Sequence, residues 1–92
     1  MISLEQKTWN EINKEIAANV KKLRKRKKIS QTMLSARSGV SLGSIKRFEQ
    51  TGEISLQSLT KIAIALETEK ELEGLFSEVT FTSIQEIING QS

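Results

Sequence analysis

Apolar residues recur at steps of three and four along most of the chain, which is the period of an amphipathic helix. The first such run predicts helix one, from about Leu4 to about Lys27. Ser3 and Gln6 fit a capping box in front of this helix. Its apolar stripe consists of Trp9, Ile12, Ile16, Val20 and Leu23.

The same period predicts four further helices, and a Ser or Thr that can accept a bond from an orphan backbone N–H precedes each of them. The fourth has an apolar stripe that we expect to be buried, namely Leu56, Leu59, Ile62, Ala63 and Leu66. The predicted helices are 31–38 after Ser30, 42–50 after Ser41, 56–66 after Ser55 and 69–77 after Thr68.

Both ends of the chain carry apolar residues that these five helices do not explain. Trp9 either covers the core or anchors an interface with a second copy or a partner protein. Residues 80–83 are typical of a short extended segment, and Ser83 with Glu86 predicts a sixth short helix ending near Asn89. Its isoleucines either fold back on the core or pair with a second chain, and we expect the pairing.

Residues 30–52 form the most informative stretch, because they predict two short capped helices joined by a tight turn. Gly39 lies just past the first helix, where a positive φ costs least. Val40 can fill the corner between the helices, and Gly52 closes the unit. Such a pair of helices is a helix-turn-helix, and in DNA-binding proteins its second helix enters the major groove.

From Ser30 to Gly52 the chain reads Ser-Gln-x-x-Leu-Ser-x-x-Ser-Gly-Val-Ser-x-x-x-Ile-x-x-Phe-Glu-x-x-Gly. This pattern resembles the lambda-repressor/Cro-type helix-turn-helix domain, also called the XRE family, and the resemblance extends from about Ile12 to about Phe76. It implies an all-α fold, a five-helix lambda-repressor-like bundle with the short C-terminal helix in addition. The expected division is 1–11 as an extension of helix one, 12–77 as the DNA-binding domain and 78–92 as a short extension for dimer or partner contact.

The position of helix three in the motif implies a set of residues that face the bases of DNA. Arg47 can bond guanine O6 and N7 together, which is worth about 1–3 kcal/mol of discrimination. Lys46 can reach guanine or a phosphate. Because the first residues of the helix offer little hydrogen bonding, either Gly43 permits a close backbone approach or specificity comes partly from DNA shape. The expected base contacts are Leu42, Gly43, Ser44, Lys46 and Arg47.

Seven of the eight residues 21–28 are Lys or Arg. A single lysine usually belongs to a solvated face, but seven directly before a helix-turn-helix favour contact with phosphates, and binding should then weaken steeply with salt. By resemblance, Gln31 bonds a phosphate rather than serving only as a helix-start residue. The expected phosphate contacts are Lys21, Arg24, Lys25, Lys28, Gln31, Thr51 and Gly52.

The resemblance also gives Arg24 a structural role. In the family, an arginine at this point of helix one pairs with a glutamate near the end of the recognition helix, which here is Glu49. The implied Arg24–Glu49 pair is partly buried and leaves Arg24 near the DNA backbone.

Composition narrows the function further. The net charge of +3 hides an uneven distribution, since residues 1–66 hold 13 Lys or Arg and 5 Glu, whereas residues 67–92 hold one Lys and 6 Glu. Cys and His are absent, so we expect no catalytic residue, no metal site, no cofactor and no enzyme activity. No apolar run approaches the length of a membrane span and no signal pattern opens the chain, so we expect no membrane contact and a cytoplasmic protein.

These features predict a sequence-specific transcriptional regulator, a repressor that binds double-stranded DNA as a homodimer on a pseudo-palindromic operator. The alternative is an antitoxin or accessory subunit that binds a protein partner, such as a toxin, and autoregulates its own operon.

Overall fold

The computed structural model describes residues 6–77, so the predictions for 1–5 and for 78–92, including the extended segment and the sixth helix, lie outside it. The described part is all-helical, as predicted, and contains no strand. None of its helices combines the length and apolar character that crossing a membrane requires. The five helices are α1 (Trp9–Arg26), α2 (Gln31–Ser38), α3 (Leu42–Thr51), α4 (Leu56–Ala65) and α5 (Glu69–Glu73).

Serine hydroxyls determine where the three central helices begin. Ser30 Oγ accepts a bond from the Met33 N–H at 3.0 Å, and Ser41 and Ser55 make the same contact three residues ahead, each at 3.1 Å. These bonds satisfy backbone donors that have no partner inside a helix. The predicted starts of α2, α3 and α4 are therefore confirmed.

The outer helices differ from the prediction at their ends. Helix α1 begins at Trp9, so the prediction that it begins near Leu4 is wrong for residues 6–8. Its capping box is formed by Thr8 and Glu11, with both bonds at 3.2 Å. Thr68 does not cap α5, since its hydroxyl donates to the Ala63 carbonyl at 3.3 Å. The last helix is also shorter than predicted and ends at Glu73.

The core lies where α3 packs against α1 and α2, and where α4 packs against α2 and α5. Its largest fully buried side chain is Phe48, which shares the buried face of α3 with Ile45 at a spacing of three. Burying one such side chain contributes about 1.5–3 kcal/mol. The buried apolar cluster comprises Ala17, Ile29, Leu34, Val40, Ile45, Phe48, Ile62 and Leu66.

Periodicity overestimated burial at the beginnings of α1 and α4. Trp9 is 74% exposed, so the interpretation that it covers the core is wrong. Ile12 and Ile16 are also exposed, at 45% and 42%, whereas Ala17 is the buried apolar residue on this helix. In α4 the first apolar residue, Leu56, is 66% exposed.

Two glycines end α2 and α3 in the left-handed conformation, with φ of 77° at Gly39 and 82° at Gly52. Their surroundings differ. A Cβ on Gly39 would meet nothing within 4 Å, whereas a Cβ on Gly52 would lie 2.8 Å from the carbonyl carbon of Asn13 in α1. Gly52 therefore permits both the turn and the close approach of α3 to α1.

We predict that Gly52→Ala destabilises the protein by several kcal/mol, because strain of about 1–3 kcal/mol from the positive φ adds to the clash with the Asn13 backbone. Gly39→Ala is the matched control, since it brings the same strain without a clash. Urea unfolding followed by circular dichroism gives both free energies. Equal losses for the two variants would show that the close packing at Gly52 is unimportant.

Candidate nucleic-acid interface

Helix α3 separates its residues into a buried face and an outward face. Ile45 and Phe48 point into the core, which fixes the rotation of the helix about its own axis. The hydroxyl of Ser44 accepts a bond from Ser41 Oγ at 2.8 Å, so this side chain is oriented by the N-cap. Of the residues expected to face bases, Gly43, Ser44, Lys46 and Arg47 are exposed and Leu42 is half-buried.

Arg47 forms an ion pair that sequence reasoning missed. Its Nε and Nη2 both lie close to Glu53 Oε2, at 2.9 and 2.8 Å, and the two side chains are 69% and 60% exposed. The only available signal was an acidic residue directly after the glycine that ends α3. Arg47 therefore already has a partner when it faces solvent.

Arg24 and Glu49 form a second, buried ion pair whose side chains are only 8% and 3% exposed. Arg24 Nε and Nη2 donate to the two carboxylate oxygens at 2.8 and 3.0 Å, and Nη1 donates to the Ile29 carbonyl at 2.8 Å. Gln31 Nε2 donates to Glu49 at 3.0 Å. One carboxylate at the end of α3 thus joins the end of α1 to the start of α2.

This geometry determines the ionisation of Glu49. Burial raises the pKa of its carboxyl, but the hydrogen bonds from Arg24 and Gln31, together with the charges of Arg24 and Lys21, outweigh burial and lower the pKa below the ordinary value of 4.5. The carboxylate is therefore the favoured form at neutral pH. Two of the bonds that it accepts come from the Arg24 guanidinium, through Nε and Nη2.

Three of the expected phosphate contacts are engaged inside the protein. Arg24 is buried and bonded through all three of its nitrogens. Thr51 donates its hydroxyl proton to the Arg47 carbonyl at 2.7 Å. Gly52 is buried, and its N–H donates to the Phe48 carbonyl at 2.7 Å. These donors have partners inside the protein, and the phosphate contacts of the three residues stay a prediction.

The remaining phosphate candidates lie around the C-terminal end of α1 and the N-terminal end of α2. Lys28 adopts a positive φ of 58° and donates its N–H to the Lys25 carbonyl at 2.9 Å, which turns the chain sharply after α1. Gln31 is the first residue of α2, where helix N–H groups favour an anion. The lysines Lys21, Lys25 and Lys28 are exposed and Gln31 is half-buried.

A shallow cleft of about 360 Å³ lies between α3 and the start of α4. Arg47 and Glu53 line one side, and Ser55, the N-cap of α4, lines the other. Between residues 6 and 77, no cluster of acidic side chains is arranged to hold a metal ion. The cleft extends the surface of α3 towards a second helix N-terminus, which suits an extended ligand rather than a small enclosed one.

We predict that Glu49→Gln destabilises the protein at pH 7 by about 1.5–3 kcal/mol, the usual value of hydrogen bonds to a charged group. Because the folded state lowers the Glu49 pKa, this stabilisation is present above the ordinary value of 4.5 and is lost as the pH falls through the folded-state pKa. The measurement is the unfolding free energy of both proteins between pH 7 and pH 3.

The difference between wild type and Glu49→Gln should shrink as the pH falls below 4.5. Glu15→Gln is the control, because Glu15 pairs with Lys7 on the surface and is 52% exposed. Surface pairs contribute little, so this variant should stay close to the wild type throughout. A Glu49→Gln difference that is independent of pH would contradict the assigned ionisation.

Comparison with known proteins places this geometry in a family. A family model described as helix-turn-helix matches residues 20–72, which is more than half of the chain and includes α2 and α3 in full. Neither the curated proteins nor the solved structures gave a match. The match covers the capped helix pair, its turn and the buried Arg24–Glu49 pair. The chain therefore belongs to the lambda-repressor-type, or XRE, helix-turn-helix family of DNA-binding transcription regulators.

Proposed function

We propose that this protein is a sequence-specific repressor that binds a pseudo-palindromic operator as a homodimer. The observation that carries the proposal is the position of α3, whose apolar face is locked into the core while Lys46 and Arg47 point outward. A helix held in this way can present the same side chains to the major groove in every binding event. Base contacts specify the sequence, and phosphate contacts position the protein.

Base reading depends mainly on Arg47. Its guanidinium can bond guanine O6 and N7 together, whereas a lysine amine is a single point charge without that fixed geometry. Ser44 lies on the same exposed side and supports the contact. Because Leu42 and Gly43 add little hydrogen bonding, we propose that the rest of the specificity comes from DNA shape.

Affinity depends mainly on phosphate contacts from the end of α1. The exposed lysines there lie next to the N-terminus of α2, where Gln31 is held by Glu49 at 3.0 Å. The Gln31 amide has a second proton for a phosphate, so it can join both groups. The proposed phosphate contacts are Lys21, Lys25, Lys28 and Gln31.

Dimer formation would place two copies of α3 in successive turns of the major groove, about one helical turn of DNA apart. Exposed apolar residues support an interface of this kind. A groove of about 370 Å³ between α1, α4 and α5 is lined largely by apolar side chains, including Ile16, Val20 and Leu72. Binding across a promoter would block transcription without any additional domain.

The alternative function, an antitoxin or accessory subunit, rests on the exposed aromatic residues. Trp9 is 74% exposed and Phe76 is 93% exposed, and the base-reading surface uses neither of them. Large exposed aromatic side chains are enriched in protein interfaces. A partner protein would then occupy these positions while α3 bound the operator.

We predict that Arg47→Ala lowers the ratio of operator to random-duplex affinity about tenfold or more, since a bidentate guanine contact is worth about 1–3 kcal/mol. The operator is first obtained by selecting bound duplexes from a random pool with the wild-type protein. The ratio is the appropriate quantity, because the unpaired Glu53 left by this variant weakens binding to every duplex alike. An unchanged ratio would refute the proposed orientation of α3.

We predict that Lys25→Gln on α1, unlike Arg47→Ala on α3, weakens binding to operator and random duplexes by the same factor. It should also reduce the slope of log affinity against log salt by about one for each copy bound, because one phosphate contact is lost. Titrations at several salt concentrations test this. A salt slope equal to that of the wild type would remove Lys25 from the phosphate contacts.

We predict that two chains bind one selected duplex and that the free protein sediments as a dimer at micromolar concentration. Analytical ultracentrifugation with and without the duplex measures both quantities. A single chain on the operator would rule out the dimer. It would favour the alternative in which the exposed apolar residues meet a partner protein.

A further inference from the structure

The Arg47–Glu53 pair occupies a defined part of the guanidinium group. Arginine carries five N–H donors. Here Nε donates to Glu53 Oε2 at 2.9 Å, and Nη2 lies 2.8 Å from the same oxygen. The outer edge of the group, formed by Nη1 and the second proton of Nη2, remains directed away from the carboxylate. Two parallel donors of this kind are what the O6 and N7 atoms of guanine require.

The backbone holds the two partners at a constant separation. The Thr51 hydroxyl donates to the Arg47 carbonyl at 2.7 Å and accepts from the Glu53 N–H at 3.1 Å, so it connects both residues. Between them, Gly52 is buried against Asn13 and donates its N–H to Phe48 at 2.7 Å. The backbone of Glu53 is therefore connected by hydrogen bonds to the last turn of α3.

The pair also changes how Arg47 responds to DNA in general. An arginine without a partner is attracted to any phosphate, and that attraction carries no sequence information. The Glu53 carboxylate cancels most of this attraction and repels phosphates itself. Arg47 then gains more from a guanine that meets its outer edge than from a random sequence.

Resting on the proposed function, we infer that Glu53 is a positioning residue that directs Arg47 to guanine and suppresses binding to other sequences. Glu53 contacts no base itself, and it acts through the arginine. Its role is to widen the difference between operator and random DNA rather than to increase affinity.

The test compares Glu53→Gln with the wild type on the selected operator and on a random duplex. Glu53→Gln should bind the random duplex more tightly and lower the operator-to-random ratio about two- to fivefold, the range of a surface ion pair. Glu15→Gln is the matched control, since it removes the same charge from another exposed pair, Lys7–Glu15. Its ratio should equal that of the wild type.

Two further readouts separate positioning from a general change of charge. Sequences selected by Glu53→Gln should relax at one guanine in each half-site and nowhere else. In an Arg47→Ala background, Glu53→Gln should leave the ratio unchanged, because the residue that it positions is gone. Circular dichroism controls for folding, and little change is expected because the Glu53 side chain is 60% exposed.

The outcomes distinguish this inference from the proposed function. If Glu53→Gln raises both affinities by the same factor, Glu53 only repels DNA and the positioning role is wrong. If the ratio rises instead, Glu53 competes with guanine for Arg47, and the role is again wrong. If Arg47→Ala itself leaves the ratio unchanged, base reading by Arg47 fails, and the proposed function fails with it.

Discussion

The buried contact between Arg24 and Glu49 connects the parts of the molecule that must act together. It joins the end of α1 to the end of α3, and Gln31 extends it to the start of α2. Taking two charges out of water is costly, and only complete hydrogen bonding offsets that cost. Here three arginine nitrogens and both carboxylate oxygens have partners. The orientation of α3 therefore depends on Arg24, a residue in the last turn of α1.

A second arginine–glutamate pair has the opposite environment and a different consequence. Arg47 and Glu53 lie on the surface, where solvent screens their attraction and the pair adds little to stability. The same exposure makes Arg47 available to a ligand, which the buried Arg24 is not. One pair thus connects helices inside the bundle, whereas the other lies on the exposed face of α3.

Local signals predicted much of the fold, and each of them has a local cause. Ser30, Ser41 and Ser55 cap helices by bonding an N–H three residues ahead, which the chain specifies before any packing occurs. Gly39 could be placed by the steric cost of a positive φ. Burial was harder to predict, because whether Trp9 or Leu56 is covered depends on which other helices pack against that part of the helix.

In the candidate site, too, some features follow from local sequence and others only from packing. The sequence by itself determined the helix-turn-helix and its outward residues on α3, because caps, turn and apolar spacing all act over a few residues. Only the tertiary structure decided that Arg24 turns inward, since its partner Glu49 lies on another helix, and that Gly52 packs directly against α1. It also decided that Arg47 meets Glu53 across the end of α3. An arginine donates its hydrogen bonds to the acceptors that packing brings within about 3 Å of it. The spacing of residues along the chain does not show which acceptors these are.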